Sequence, residues 1–327
     1  MKKFIITTDS ACDLPMEICD KMGIYPIFLK YSIGESLYLD TLYSAEKKLF
    51  FDRMRSGANP TTSAINPSEY YDFWRKLIEK HHLPIIHLSI SSGISSTYRN
   101  SVIASEMIKE ENPDSEIRVV DTTIGSLGQG MLVLFAANLR DGGHTAEECE
   151  QKLNCCKYNI NTFYTTGNLK YFLAGGRLSR TGAVFGTVLN INPILELSHD
   201  GTLKVAAKPR GADGALKKIC EMVEKCVVNP TEQTLFISHA DAPERAKMYA
   251  LELCARFGFK NVFFSSIGTV MGSHCGPDLV AVFFLGQERD SVNIDENNQS
   301  IAVITSPEFQ EAYHTYFLTH MSKEAIQ

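Results

Sequence analysis

The feature that most constrains the fold is a regular alternation of segments in the first half of the chain. Short β-branched runs occur at residues 3–10 (KFIITTDS), 84–90 (PIIHLSI) and 116–122 (EIRVVDT), and segments with helical spacing lie at 66–81 and 127–142. Strands that alternate with helices predict βαβ units and a mainly parallel sheet. We therefore expect an α/β domain over residues 1–160.

The second half has a different pattern. Strand-like segments at 161–167, 186–198, 201–209 and 281–286 are interleaved with helical segments at 214–227 and 242–258. The segment LELSHDGTL at 195–203 is typical of a hairpin that turns at Asp-Gly. We expect an α+β domain with a mixed or antiparallel sheet over residues 161–327.

Several local expectations accompany this two-domain interpretation. Asp13 is a plausible N-cap for a helix that ends before Gly23, and Ser44 is expected to open the helix that closes before Gly57. The segment IYPIFLKYS at 24–32 is interpreted as a single strand. The amphipathic tail at 306–327 favours a docked surface helix, with a partner-binding helix as the alternative.

Charge and cysteine usage exclude several classes of protein. The net charge is −6 and the chain has no run of Lys and Arg, so a nucleic-acid partner is not expected. Nine cysteines are scattered without a CxxC pair, which favours reduced thiols and no metal site. No leader and no apolar run of membrane-spanning length is recognisable. We expect a cytoplasmic protein with at most transient membrane contact.

The stretch HLSISSGISSTYRN at 87–100 lies between an apolar run and a segment with helical spacing. It contains five serines, a glycine and a threonine, although one hydroxyl suffices to cap a helix. A helix N-terminus with free backbone N–H groups also favours an anion. From this stretch alone, a cap and an anion site remain equally good interpretations.

Three further segments are candidates for a site. Thr61, Thr62 and Ser63 precede a helix, where a turn with a cap at Ser63 or Asn66 is the simpler interpretation. In LAGGRLSRTG, two glycines end a helix and Arg177 is placed to meet an anion. In GSHCGPD, we expect His274 in a glycine-flanked loop, which favours a functional role slightly over a structural one.

Catalytic and nucleotide motifs are scarce. The chain has no GxxxxGK[ST] segment and no GxGxxG segment that opens a helix after a strand. A serine hydrolase acting on lipid esters, built from Ser95, His274 and Asp9, is the alternative hypothesis, but the G-x-S-x-G elbow is missing. For Asp9 we favour a structural role in holding a loop. A regulatory lipid sensor is a third, weaker hypothesis.

Taken in order, these segments resemble the DegV family of bacterial fatty-acid-binding proteins. The similar elements are TDSACDLP, TTSAINPSEY, SSGISSTYRNS, DTTIGSLGQG, YFLAGGRLSRTGAVFGTVLNINPIL, KPRGADGAL and IGTVMGSHCGPDLVAVFF. They run from residue 7 to residue 284. Each is weak alone, and the ordered set is specific.

The resemblance implies two α/β domains with one long-chain fatty acid, such as palmitate, stearate or oleate, buried between and within them. The acyl chain would lie in an apolar tunnel and the carboxylate near the junction of the two domains. Carried over residue by residue, the carboxylate-binding residues are Thr62, Ser95 and His274. The residues implied near the head group or on a partner-facing surface are Ser63, Ser92, Gly93, Ile94, Arg177 and Arg210.

The resemblance also implies a non-enzymatic carrier without a cofactor. Some members of the family present the acid to a separate ATP-dependent kinase subunit, which makes the acyl phosphate for phospholipid synthesis. Three positions depart from the family pattern, namely Ala64, Ser96 and Asp278, and none of them removes an implied carboxylate ligand.

Overall fold

The computed structural model describes residues 3–178, 190–290 and 299–311. The strands are β1 (Ile5–Asp9), β2 (Ile24–Ile27), β3 (Lys30–Ile33), β4 (Ser36–Leu39), β5 (Thr61–Ser63), β6 (Ile85–Ser89), β7 (Ile117–Asp121), β8 (Ile160–Thr165), β9 (Ile194–Leu197), β10 (Leu203–Ala207), β11 (Thr234–His239), β12 (Asn261–Ser266) and β13 (Val280–Leu285). The helices are α1 (Met16–Met22), α2 (Ser44–Arg55), α3 (Pro67–His81), α4 (Thr97–Glu111), α5 (Leu127–Asp141), α6 (Ala146–Cys156), α7 (Lys170–Ala174), α8 (Gly211–Cys226), α9 (Pro243–Phe257), α10 (Thr269–Cys275) and α11 (Gln299–Ile304).

A parallel four-stranded sheet in the first half has the order β2-β1-β6-β7. Every residue of β1 and β6 is buried, as expected when helices cover both faces of a parallel sheet. The most buried helix is α5, which packs against β1 and β6. The α/β prediction for the first half is confirmed.

The second half forms a mixed six-stranded sheet with the order β10-β9-β8-β13-β11-β12. Only the β11–β12 pair is parallel. The predicted hairpin is confirmed, since Leu197 of β9 pairs with Leu203 of β10. The sequence interpretation missed β11 and β12, which lie side by side in this sheet.

The segment 24–32 is not one strand, as expected from its sequence, but two. Its first part is β2, at the edge of the parallel sheet, where Pro26 needs no ladder hydrogen bond on its open side. Its second part, β3, joins a separate sheet with the order β4-β3-β5. The chain turns between them, where the Leu29 N–H donates to Ser10 Oγ at 3.0 Å.

Helix termini agree with the sequence in part. Asn66 caps α3 in a capping box with Glu69, and Gly23 ends α1 with φ +62°. Asp13 is not the N-cap of α1, because Pro15 holds that position. Ser44 is the first residue of α2, and Tyr43 precedes it as the N-cap.

His274 does not lie in a loop, as its glycine-rich surroundings predict, but in the last turn of the short helix α10. This helix belongs to the second half of the chain, yet it packs against α2, β3 and β5 of the first half. The domain boundary near residue 160 therefore remains a prediction, although β8 begins there. The tail beyond residue 311 and Arg180 lie outside the described residues.

Candidate functional site

An apolar cavity lies where the two halves of the chain meet. Apolar side chains form most of its wall, and hydroxyl, imidazole and guanidinium groups gather at one part of it. The lining residues are Leu29, Thr62, Ser63, Ala64, Ile90, Ile94, Ser95, Ser126, Tyr164, Phe172, Arg177, Leu197, Leu203, Ile267, Val270, Met271, His274, Cys275 and Leu279.

Thr62 and His274, 212 residues apart in the chain, meet in this cavity. Thr62 lies in β5, and its Oγ1 is 2.7 Å from Nε2 of His274 in α10. The two residues that the family resemblance pairs are thus brought into direct contact. We define Thr62, Ser95, Arg177 and His274 as the head cluster.

The imidazole of His274 is uncharged near neutral pH. Burial, together with the nearby positive charge of Arg177, lowers the pKa of His274 to about 4. Its Nδ1 has no hydrogen-bond partner among the described residues, and this face of the ring packs directly on Gly175. A Cβ at position 175 would collide with the ring, so glycine is required there for the ring to fit.

Arg177 follows the two glycines that end α7, as the sequence predicts. Its Nε donates to the Ile94 carbonyl at 3.1 Å, and its Nη1 donates to the Gly175 carbonyl at 2.6 Å. It is half-buried and forms no ion pair within the described ranges. The head cluster therefore carries a positive charge without a matching carboxylate, which suits an anionic ligand.

Ser95 lies on the cavity wall and also organises the start of α4. Its Oγ donates to Thr97 Oγ1 at 2.8 Å and accepts from the Thr97 N–H at 3.2 Å. Ser96 holds the N-cap position without a side-chain hydrogen bond. The hydroxyl of Ser95 thus serves the helix start and faces the cavity, so the two interpretations of this stretch are compatible.

The neighbouring residues have a structural role that the sequence did not suggest. Ser91 Oγ donates to the Gly201 carbonyl at the tip of the β9–β10 hairpin and accepts from the Gly93 N–H. A Cβ on Gly93 would come within 2.6 Å of Gly201, so this glycine allows the hairpin to pack on the loop. Leu197 and Leu203 of the hairpin then form part of the cavity wall.

The residues expected near the head group divide into two sets. Ser63, Ile94 and Arg177 line the cavity. Ser92, Gly93 and Arg210 are not among its lining residues. Ser92 is exposed and its backbone N–H donates to Asp121 Oδ1, and Arg210 is exposed at the start of α8. Their proposed proximity to a head group remains a prediction.

The residues of the hypothetical hydrolase are not assembled into a triad. Asp9 is fully buried and accepts hydrogen bonds from Ala11, Ser89, Ile90 and Gln129. Burial raises its pKa to about 6. His274 bonds Thr62, and Ser95 bonds Thr97. Asp9 therefore holds the loop after β6, the structural role that its position suggests.

Two of the departures from the family pattern have a visible setting. Ala64 lines the cavity next to Thr62 and Ser63. Asp278 has φ +69°, a conformation that glycine adopts easily, and its carboxylate pairs with Arg55 at 2.8 Å. The aspartate thus adopts a less favourable backbone conformation than glycine would, and it forms an exposed ion pair between α2 and the loop before β13.

The family model for DegV, described as an uncharacterised protein of the DegV family, matches residues 3–287. The chain belongs to the DegV family. A DegV domain-containing protein of Clostridium perfringens is 36% identical over 291 residues, which is 89% of this chain and all of that protein. Another from Caldanaerobacter subterraneus is 31% identical over 284 residues, covering 87% of this chain and 99% of that one.

Solved structures of DegV proteins share the fold. A DegV lipid-binding protein from Thermotoga maritima superposes with a TM-score of 0.79 and 25% identity, covering 88% of this chain and all of that one. A fatty-acid-binding DegV protein from Thermus thermophilus also gives a TM-score of 0.79, with 24% identity over 87% of this chain and 99% of that one. The mixed α/β architecture of the present chain is that of the DegV structures.

None of the helices in the described ranges has both the length and the apolarity that a bilayer crossing requires. The same ranges contain no group of three or more His, Cys, Asp or Glu side chains arranged to hold a metal ion.

Proposed function

We propose that this protein binds one long-chain fatty acid, with the acyl chain in the apolar cavity and the carboxylate at the head cluster. The observation that carries the proposal is the contact between Thr62 and His274 on the wall of that cavity, beside Arg177, which has no acidic partner among the described residues. On binding, these groups exchange their present partners for the carboxylate: the hydroxyls of Thr62 and Ser95 turn from His274 and Thr97 to the ligand, and the neutral ring of His274 donates its single N–H.

Burial of a carboxylate is costly unless donors replace its water, and the head cluster supplies such donors. The acyl chain contributes most of the affinity, because each buried CH₂ gives about 0.8 kcal/mol. Roughly fifteen such groups give about 12 kcal/mol before the costs of ordering the ligand. A few hydrogen bonds to the head group supply less than this and fix the orientation of the ligand.

Known DegV structures support the ligand class. The proteins from Thermotoga maritima and Thermus thermophilus are a lipid-binding and a fatty-acid-binding protein, respectively. A further neighbour, from Eubacterium ventriosum, is a stearic acid-binding protein. We extend fatty-acid binding to this chain on the strength of its own cavity and head cluster.

We further propose that the protein acts as a carrier, and that a separate ATP-dependent kinase phosphorylates the carboxylate of the bound acid. Support comes from the chemistry of the cavity wall, since Ser95 and His274 are each bonded to a threonine rather than to one another. The sequence also contains no phosphate-binding loop of its own. His274 would then hold the head group while the partner acts on it.

The first experiment is native mass spectrometry of the freshly purified protein, followed by organic extraction and lipid analysis. The expected result is one co-purifying fatty acid per chain. A protein that is empty and also takes up neither added oleate nor added palmitate would contradict the proposal. A serine-directed fluorophosphonate, applied in parallel, is expected to leave Ser95 unmodified, whereas labelling at Ser95 would favour a hydrolase.

A second experiment separates the contribution of the chain from that of the head group. Affinities of acids from eight to eighteen carbons are compared with the affinity of the Ser95→Ala variant for the longest acid. Shortening the chain is expected to weaken binding far more than removal of the Ser95 hydroxyl. If Ser95→Ala abolished binding while chain length hardly mattered, the cavity would not be the acyl-chain site.

A further inference from the structure

The segment that leads into α10 is held by buried charged residues from the first half of the chain. Gly268 donates its N–H to Asp13 Oδ1 at 2.7 Å, and Ser265 Oγ donates to the Asp13 carbonyl at 2.6 Å. Asp13 is fully buried, and its other carboxylate oxygen accepts from Ser126 Oγ. Ser126 itself lines the ligand cavity.

Asp40 binds the next residue of the same segment. Its Oδ1 accepts from both the N–H of Thr269 at 2.8 Å and the Oγ1 of Thr269 at 2.9 Å, and its Oδ2 accepts from Ser10 Oγ at 3.0 Å. Lys47, also buried, donates to the Ser266 carbonyl at 2.8 Å. We call Asp13, Asp40 and Lys47 the clamp.

The clamp acts on the helix that carries His274. α10 has seven residues, and a helix of this length is not stable without external contacts. At about 1.5 Å per residue, His274 lies about 9 Å along the helix axis from Gly268, so a displacement at the first turn is transmitted to the imidazole. The clamp is not part of the cavity wall and touches α10 at the end opposite to His274.

The fit between the clamp and Gly268 is tight. A Cβ on Gly268 would lie 2.9 Å from Oδ1 of Asp13 and 2.9 Å from Oδ1 of Asp40. The backbone of Gly268 has φ −66°, which any residue adopts, so the requirement for glycine comes from the two carboxylates. The two carboxylates therefore converge on one backbone position.

From this arrangement we infer that Asp13 and Asp40 are positioning residues for fatty-acid recognition, because they set the start of α10 and thereby hold His274 against Thr62. The inference rests on the proposed function, since it concerns how the head cluster is held. The two aspartates are not among the proposed carboxylate-binding residues, and they do not line the ligand cavity.

The test compares oleate with oleyl alcohol, which has the same chain and no carboxylate. Dissociation constants for both ligands are measured for the wild type and for the Asp40→Ala, Asp40→Asn and Gly268→Ala variants. The ratio of the two constants reports the head-group contacts, while a general loss of structure weakens both ligands equally. Gln233→Met is the matched control. Gln233 is a buried polar side chain that does not line the cavity, and it hydrogen-bonds the backbone of Leu285 and Val228.

Asp40→Ala and Gly268→Ala are expected to weaken oleate binding by about tenfold or more and oleyl alcohol binding by less than about threefold. Asp40→Asn keeps an acceptor for Thr269 and should retain most of the selectivity for the acid. Gln233→Met should leave the ratio unchanged. The imidazole signals of His274, followed by NMR, should shift in the first two variants.

Two outcomes are distinguishable failures. If the wild type binds neither ligand, the proposed function itself is wrong. If the wild type binds oleate and all variants lose acid and alcohol affinity by equal factors, Asp13 and Asp40 only stabilise the fold and the positioning role is overturned. Where Asp40→Ala does not fold, Asp40→Asn and Gly268→Ala decide the question by the same ratio.

Discussion

The head cluster and the clamp are both groups of polar side chains, half-buried in the head cluster and buried in the clamp, and they differ in how completely their hydrogen bonds are satisfied. In the clamp, each carboxylate oxygen of Asp13 and Asp40 has a donor from the protein. In the head cluster, His274 Nδ1 has no partner among the described residues, and Arg177 has no acidic partner there. A complete set of hydrogen bonds indicates structure, whereas an incomplete one on a cavity wall indicates a place for a ligand.

The largest effect is expected from the clamp. Asp13→Ala removes the acceptor of Gly268 and Ser126 and leaves their donors buried without a partner. At about 1 to 3 kcal/mol for each of the two unsatisfied donors, the free energy of unfolding should fall by roughly 2 to 6 kcal/mol. Urea denaturation measures it. His274→Ala should cost clearly less, and equal losses would remove the distinction between the two clusters.

A smaller effect, on binding rather than stability, is expected at the head cluster. Thr62→Val keeps the shape of the side chain and removes the hydroxyl, so oleate affinity should fall by about 1.5 to 3 kcal/mol, the value of a hydrogen bond to a charged group. Titration calorimetry measures this loss.

Thr234→Val is the matched control for that change, because Thr234 is buried and its Oγ1 has no hydrogen-bond partner among the described residues. It should leave affinity unchanged and stability unchanged or slightly higher. A Thr62→Val variant that unfolds more easily than Thr234→Val yet binds oleate normally would place Thr62 among structural residues.

The two clusters are expected to respond to pH with opposite signs. The lowered pKa of His274, about 4 against an ordinary 6.5, means that the unfolded chain takes up a proton first, so this group lowers stability as pH falls from 6.5 towards 4. The raised pKa of Asp13, about 7, arises mainly from burial and acts in reverse, since the folded protein takes up the proton first.

At about 1.4 kcal/mol for each pKa unit, the effect of each group on the free energy of unfolding is on the order of 3 kcal/mol across its interval. We therefore measure the free energy of unfolding of the ligand-free protein from pH 4 to pH 7. It should fall less on acidification in His274→Gln than in the wild type, and more in Asp13→Asn. Changes of the same sign in both variants would contradict the assignment.

The smallest effect is expected at an exposed ion pair between the same two halves of the chain. Asp278→Gly removes the pair with Arg55 but relieves a left-handed backbone at φ +69°. An exposed pair is worth about 0 to 1 kcal/mol and the backbone relief about the same, so stability should change by less than about 0.5 kcal/mol. If the free energy of unfolding fell by several kcal/mol, this exposed ion pair would contribute as much to stability as the buried hydrogen bonds of the clamp.

Sequence reasoning located much of this site because its evidence is local. The capping box at Asn66, the hairpin at Asp200-Gly201 and the glycines before Arg177 each depend on a few neighbouring residues. Ordered motifs then indicated the family, and with it Thr62 and His274, which the structure places 2.7 Å apart.

The remaining features depend on distant parts of the chain. α10 is too short to show a helical period, and carboxylates more than 200 residues away in the chain hold its start. The local sequence therefore predicts a loop at His274. For the same reason the local sequence predicts a helix cap at Asp13, although the carboxylate of Asp13 binds Gly268 and Ser126. Nothing within a few residues of Asp13 distinguishes these two uses of an aspartate.

The long separation between the partners of α10 has a consequence for the order of events during synthesis. His274 reaches Thr62 only after the first forty residues and the segment around 268 are both available, and contacts so distant in sequence are slow to form. A nascent chain that ends before residue 274 already has the strands of the parallel sheet but no imidazole at this position. If the protein works as proposed, capture of the lipid is thereby deferred until the segment that carries His274 has been synthesised.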